Sequence, residues 1–266
     1  MDTQNLLEIM KDVVRGCGKI IMDADTDQIA ANTKSSFRDL VTAYDVRVQE
    51  YAISRLSECF PEARFVSEEK DDADPSESCS QSMTFVIDPI DGTANFVHHF
   101  RHSCTSIACV IDGEPAAAVI FNPYAEELFS AEKGKGAYLN DRQIHVAQEP
   151  LSGSLALVGS SPYYLEKTEE TFQNIRKVFG RCQDIRRSGS AALDLCYVAA
   201  GRAGLFFESV LSVWDYAAGA LIVKEAGGEC CSYTNEPLIF DRPVKSSVIA
   251  AGAEILDECG IMVCVK

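Results

Sequence analysis

Leu6, Leu7, Met10, Val13, Val14, Cys17, Ile20 and Ile21 recur every three to four residues, the spacing that lines one face of a helix with apolar side chains. A second stretch, residues 40–60, carries Val41, Tyr44, Val48, Tyr51, Ile53, Leu56 and Phe60 before Pro61 stops it, and so predicts another amphipathic helix. From 70 to 82 the pattern dissolves into acidic and serine residues, which read as an exposed, mobile loop. Thr84-Phe85-Val86-Ile87 is short, apolar and β-branched, as a buried strand would be, and Asp88-Pro89-Ile90-Asp91-Gly92 is expected to end it in a turn. Residues 106–110 and 116–120 flank Asp112-Gly113, a hairpin signal, and 129–131 with 136–139 suggest a further strand pair. The first half therefore reads as helices followed by a largely antiparallel sheet.

The second half alternates. Strands are expected at 155–159, 205–207 and 247–251, and helices at 168–179, 190–200 and 215–225, the last closed by Gly227-Gly228. This divides the chain into residues 1–147, helices plus an antiparallel sheet, and residues 148–266, a C-terminal α/β layer entered through the polar stretch 148–154. The sequence carries no internal repeat and no low-complexity tract.

The 266 residues are 47% hydrophobic and 24% charged, enough for a large core in one or two closely packed domains. A formal net charge of −16 argues against a nucleic-acid groove, which needs clustered Lys and Arg. If many of the carboxylates face one cleft, they repel a phosphate ester unless cations lie between them. The 11 cysteines are scattered, lack a Cys-x-x-Cys pair, and sit mostly in apolar runs, so they argue for free thiols in a reducing cytosol over zinc or disulfides. Asp2, Glu8, Lys11, Asp12 and Arg15 break the first apolar stretch, which excludes a signal peptide or membrane span there and predicts a cytoplasmic protein.

Candidate chemistry centres on Asp88 and Asp91, three residues apart after a buried strand, with Pro89 restricting the backbone and Gly92 permitting conformations that other residues resist. Both carboxylates can face one pocket, with the amides after Asp91 and the Thr93 hydroxyl available to a phosphate. An oxygen-only donor set selects hard cations, magnesium or manganese, over zinc. Glu68 follows Phe65-Val66-Ser67, and Asp215 follows Val213-Trp214 at a helix start, so four carboxylates end core elements. Read alone, Asp88 and Asp91 make an Asx-type turn and Asp215 is a helix N-cap. Glu208, after Leu205-Phe206-Phe207, is either a site carboxylate or a solvated strand terminus, and Arg186 and Arg187 are anion partners or surface salt-bridge residues.

Taken in order, these pieces resemble the inositol monophosphatase family. The resemblance rests on Ser67-Glu68-Glu69, on Asp88-Pro89-Ile90-Asp91-Gly92-Thr93-Ala94-Asn95-Phe96, and on Trp214-Asp215-Tyr216-Ala217-Ala218-Gly219 with Glu225-Ala226-Gly227-Gly228. Lys34-Ser35-Ser36, Asp39-Leu40-Val41-Thr42 and Asp45 resemble its N-terminal block, and Lys133-Gly134-Lys135-Gly136-Ala137 its mid-chain hairpin. The resemblance implies a layered αβαβα sandwich and hydrolysis of a phosphate monoester with two or three magnesium ions, manganese being a possible substitute. It implies Glu68, Asp88, Asp91, Asp215 and the carbonyl of Ile90 as metal ligands. Glu68 and Thr93 would position or activate the attacking water with Asp45 behind them, and the Gly92 and Thr93 amides would hold the phosphate.

By the same resemblance, Gly189, Ser190, Ala191 and Glu208, with Asp215, meet the polyol of a small phosphorylated substrate. Lithium sensitivity and a homodimer are implied as well. Relatives act on fructose 1,6-bisphosphate, 3′-phosphoadenosine 5′-phosphate or histidinol phosphate, but Glu208 and Asn95-Phe96-Val97-His98 favour inositol monophosphate. Some bacterial members instead contact the transcription or translation machinery. Where the family commonly carries a proline this chain reads Phe100-Arg101-His102, a departure expected to reshape the rim of the cleft. The oxygen-rich centre does not require His98, His99 or His102.

Overall fold

The computed structural model describes residues 3–24, 31–33, 40–69 and 83–261. The expected loop at 70–82, and Lys34, Ser35, Ser36 and Asp39 of the N-terminal block, lie outside the described residues. Helix α1 (Thr3–Met22) buries Leu6, Met10, Val13, Val14, Cys17 and Ile21, the face that the spacing marked. Each such side chain contributes roughly 1.5–3 kcal/mol when fully buried.

The second expected helix begins later than its apolar pattern. β2 (Leu40–Thr42) pairs antiparallel with β1 (Ala31–Thr33), and only then does α2 (Ala43–Cys59) start. Thr42 is the reason. It is the N-cap, in extended conformation, and its hydroxyl accepts from the amides of Tyr44 and Asp45 while Asp45 bonds back to the Thr42 amide. That reciprocal box fixes the helix start, so Leu40 and Val41, apolar in either conformation, fall to a strand.

A seven-stranded sheet follows, in sequential order: β3 (Arg64–Ser67), β4 (Met83–Asp91), β5 (Cys104–Ile111), β6 (Glu114–Asn122), β7 (Glu127–Glu132), β8 (Ala137–Leu139) and β9 (Arg142–Ile144). Only the β3–β4 pair is parallel. Asp112 and Gly113 both take positive φ, 53° and 79°, as a two-residue hairpin joining β5 to β6 requires. The expected turn at Asp88-Pro89 is corrected to a bulge. β4 runs on through Pro89 to Asp91, and its register against β5 shifts between Asp88 and Asp91. Proline has no amide for the ladder, so the pairing skips it, and the Thr105 hydroxyl donates to the Pro89 carbonyl at 2.8 Å instead. The short helix α3 (Thr93–Val97) follows directly.

The second sheet contains β10 (Leu155–Val158), β11 (Asp184–Arg186), β12 (Leu205–Ser212), β13 (Glu229–Cys231) and β14 (Lys245–Ala251), in the order β11-β10-β12-β14-β13. Between these strands the chain forms α4 (Thr168–Phe179), α5 (Ala191–Ala199) and α6 (Val213–Glu225), and α7 (Ala253–Cys259) follows the last. The polar or very short β9, β11, β13 and α3 carry no periodicity to detect.

Alternate side chains show the layers. On β4, Phe85 and Ile87 pack towards α1 and α2 while Val86 faces the opposite side; on β12, Phe206 shares that middle core and Leu205 and Phe207 face away, with α7 residues. The order is α1/α2, seven-stranded sheet, α5/α6, five-stranded sheet, α4/α7, an αβαβα sandwich. Sandwiched between two sheets, α6 is apolar all round, from Tyr216 to Val223. The nine cysteines among the described residues are free thiols, and no helix among those residues is long and apolar enough to cross a membrane.

Candidate active site

The ends of four elements meet at one place. The β4 bulge delivers Asp88 and Asp91, the start of α2 delivers Asp45, and the start of α6 delivers Asp215, with Glu68 just beyond β3. Asp88 is 2% exposed and its Oδ1 has no hydrogen-bond partner. Burial first, then the charges of Glu68, Asp91, Asp215 and Asp45, push its carboxyl well above the usual range. Asp215 is raised by burial, Asp91 and Glu68, against the Ser212 amide that donates to its Oδ2 at 2.7 Å. The carboxylates expected from distant segments therefore converge. Asp215 is not the N-cap that its context alone suggested: Ser212 caps α6, and Asp215, the third helical residue, bonds back to the Ser212 amide in a capping box.

Among the described residues no three acidic, His or Cys side chains form a ready-made metal shell. Magnesium is typically held by one or two carboxylates, with water and substrate phosphate completing its octahedron. An unpartnered buried carboxylate oxygen among further carboxylates, with no nitrogen or sulfur ligand needed, fits such a hard cation.

Thr93, the first residue of α3, places its hydroxyl 3.1 Å from both Asp45 Oδ1 and the Ile90 carbonyl. The other Asp45 oxygen accepts from the Thr42 amide at 2.8 Å and from its hydroxyl at 2.6 Å. Asp45 is thus a fully buried acceptor, aimed at Thr93. Gly92 precedes α3 with φ +91°, and a Cβ there would lie 3.0 Å from the His102 carbonyl and 3.2 Å from that of Gly189. α3 has no side-chain cap.

The family model for the inositol monophosphatase family matches residues 2–264. The chain belongs to the inositol monophosphatase family. It is similar to Nus factor SuhB of Xylella fastidiosa, 39% identical over 222 residues that cover 82% of this chain and 79% of that protein. It is also similar to Inositol monophosphatase 2 of Saccharomyces cerevisiae, 36% identical over 215 residues, 77% of this chain and 73% of that one. The crystal structure of extragenic suppressor protein suhB from Bartonella henselae superposes with a TM-score of 0.88 at 32% identity, over 96% of both chains.

Within this family frame, the residues expected to meet a polyol lie across from the carboxylates, in the C-terminal half. Gly189 abuts Gly92, whereas Ser190 is 1% exposed and Ala191 is buried at the start of α5. Glu208 is not the strand terminus that its context suggested. It sits inside β12, 8% exposed, immediately before a register shift against β14. Its Oε1 accepts from the Ser161 amide at 2.7 Å, and a Cβ on Gly159 would come within 2.1 Å of its Cδ. Burial raises its carboxyl to about 7, against the opposing pull of Ser161 and Arg187.

Ser161 had no chemical signal in the sequence, and Asn95 entered only as part of a motif, with no role of its own. Ser161 reaches Glu208 through its backbone from 47 residues away. The Asn95 amide donates to the carbonyls of His102 at 2.7 Å and Ser188 at 3.0 Å, tying α3 to the substrate-side loop. Arg186 pairs with Asp184, as a surface salt bridge would, and Arg187 bonds the Ser160 hydroxyl. At the departure from the family pattern, His99 and Arg101 take positive φ and Phe100 is 66% exposed. His102 turns inward, where burial lowers the pKa of its imidazole. Phe100 and His102 line, with Arg187, Asp194, Tyr197 and Arg202, an open cavity of about 400 Å³ beside the carboxylate cluster and distinct from it.

Proposed function

We propose that this protein is a magnesium-dependent phosphomonoesterase acting on a small phosphorylated polyol, with inositol monophosphate as the preferred ester. The observation that carries the reading is Asp88: a buried carboxylate whose Oδ1 is unpartnered and whose neighbours are Glu68, Asp91, Asp215 and Asp45. Magnesium ions, two or three per site with manganese as a substitute, would be held by Glu68, Asp88, Asp91, Asp215 and the Ile90 carbonyl, and supply neutralisation of the phosphoryl and leaving oxygens and a more acidic water.

The protein's own groups then have defined tasks. Thr93 Oγ1 gives its proton to Asp45 Oδ1, which leaves its lone pairs to take a proton from the attacking water, while Glu68 orients that water. The amides of Gly92 and Thr93, at an uncapped helix start, hold phosphoryl oxygens. Water oxygen bonds phosphorus, the ester P–O bond breaks, and the departing alkoxide takes a proton from solvent. Glu208, with Gly189 and Ala191, reads the polyol. Lithium is expected to inhibit in competition with magnesium. Free thiols at the described cysteines and the family resemblance support a cytoplasmic homodimer, which fractionation and sedimentation test.

Specificity constants for inositol 1-phosphate, fructose 1,6-bisphosphate, 3′-phosphoadenosine 5′-phosphate and histidinol phosphate, with magnesium and with chelator, test the reading. The highest value on inositol 1-phosphate, lost on chelation, is expected. Equal activity after exhaustive chelation overturns the metal reading, and preference for another ester overturns the substrate. Similarity to proteins named Nus factor SuhB favours a second role, association with the transcription machinery. Recovery of RNA polymerase with the tagged protein supports that role, and its absence alongside full phosphatase activity counts against it.

A further inference from the structure

Asp91 Oδ2 is occupied by donors, two of them from the other half of the molecule. The Ser190 hydroxyl lies 2.5 Å from it, the Ala192 amide 2.7 Å, and the Cys104 thiol 3.9 Å. Ser190 is also the N-cap of α5, where its Oγ accepts from the Leu193 amide at 3.3 Å. A hydroxyl has one proton. With its lone pairs facing Leu193, and the Cys104 sulfur 3.7 Å away, that proton goes to Asp91. The start of α5, a helix of nine residues, thus points its free amides and positive dipole end at the same carboxylate. Buried in this way, the Ser190 side chain has no surface to offer a substrate.

We propose that Ser190 is a positioning residue for Asp91: it clamps Oδ2, turns Oδ1 towards the cation and locks the C-terminal layer onto the metal-binding carboxylates. The inference rests on the magnesium reading above, and it reassigns Ser190 from the polyol contact that the family resemblance implied. Groups that orient metal ligands commonly change metal affinity by 10- to 100-fold.

The experiment is titration of magnesium into the metal-free protein by calorimetry, for wild type and for Ser190→Ala, Ser190→Cys and Ser190→Thr. Steady-state kinetics at saturating magnesium and melting temperatures in chelator accompany it. Ser190→Ala should weaken magnesium binding about tenfold. Ser190→Cys, close to serine in volume but with a weak S–H donor, should fall between, and Ser190→Thr, which keeps the hydroxyl, should restore most of the affinity. KM for inositol 1-phosphate at saturating magnesium should stay within about twofold, since the hydroxyl does not touch the ester. Unchanged magnesium affinity with only a lower melting temperature would make Ser190 a helix cap and nothing more. Unchanged affinity with a raised KM would return it to the substrate. Either result overturns the inference while leaving the phosphatase reading intact, whereas a wild-type protein that binds no magnesium overturns both. If Ser190→Ala does not fold, the ordering of Ser190→Cys and Ser190→Thr against wild type still decides.

Discussion

Thr93 Oγ1 lies 3.1 Å from Asp45 Oδ1, so the first residue of α3 and the first turn of α2, 48 positions apart in sequence, meet through a single hydroxyl proton. If this pair takes up the proton of the attacking water, Thr93→Val should lower kcat by roughly 10²–10⁴, the usual worth of such a group, with the fold intact. Asp45→Asn should cost about as much, and the double variant little more, because the two act as one unit. Fully additive losses in rate measurements on the three variants would separate their roles.

Asp88 carries an unpartnered oxygen among like charges, and its carboxyl is raised by burial and by Glu68. A raised carboxyl destabilises the folded state as pH climbs above the unfolded pKa. In chelator at pH 7.5, Asp88→Asn should therefore melt higher than wild type, and the increment that magnesium adds should shrink. The same change should reduce turnover by more than about tenfold, or about 1.4 kcal/mol of barrier. A variant that melts lower than wild type in chelator would contradict this account of the site.

Glu208 offers a pH test at a group that is not itself among the proposed metal ligands. Its pKa is raised from 4.5 to about 7 by burial. The folded protein holds this proton more tightly than the unfolded chain, so the contribution of Glu208 to stability is fully present below pH 4.5 and is lost as pH rises through about 7. The difference is on the order of 3 kcal/mol. Glu208→Gln should flatten that decline when melting temperatures are compared between pH 5 and 8. In kinetics, the same variant should lose roughly ten- to a hundredfold in specificity constant on inositol 1-phosphate, and much less on an aryl phosphate without hydroxyls to read. An unchanged ratio of the two would remove Glu208 from the substrate.

Gly92 holds φ +91° with the His102 and Gly189 carbonyls close against it. Alanine there takes on about 1–2 kcal/mol of left-handed backbone cost and a crowded Cβ. Gly92→Ala should lower the melting temperature by several degrees and raise the inhibition constant of inorganic phosphate, because the amides that hold phosphate start at this residue. A normal phosphate constant at a lowered melting temperature would confine Gly92 to structure.

The apolar face of α1, the strands around Asp112-Gly113 and the span of α4 are legible in the chain itself, because they follow from local periodicity and turn chemistry, which act over a few residues. The carboxylates can be picked out because each ends an apolar run. Local chemistry moved two boundaries that the apolar pattern alone misplaced: Thr42 takes Leu40 and Val41 from the helix by capping it, and the missing amide of Pro89 turns an expected turn into a bulge that separates Asp88 from Asp91. What tertiary structure alone decided is how these ends meet. Ser190 faces Asp91, and the Ser161 amide holds Glu208, through hydrogen bonds spanning 99 and 47 residues. Such bonds depend on the mutual placement of two sheets and the helices between them. They leave no periodic trace, because a hydroxyl or a backbone amide looks the same in the chain whatever it will face once folded.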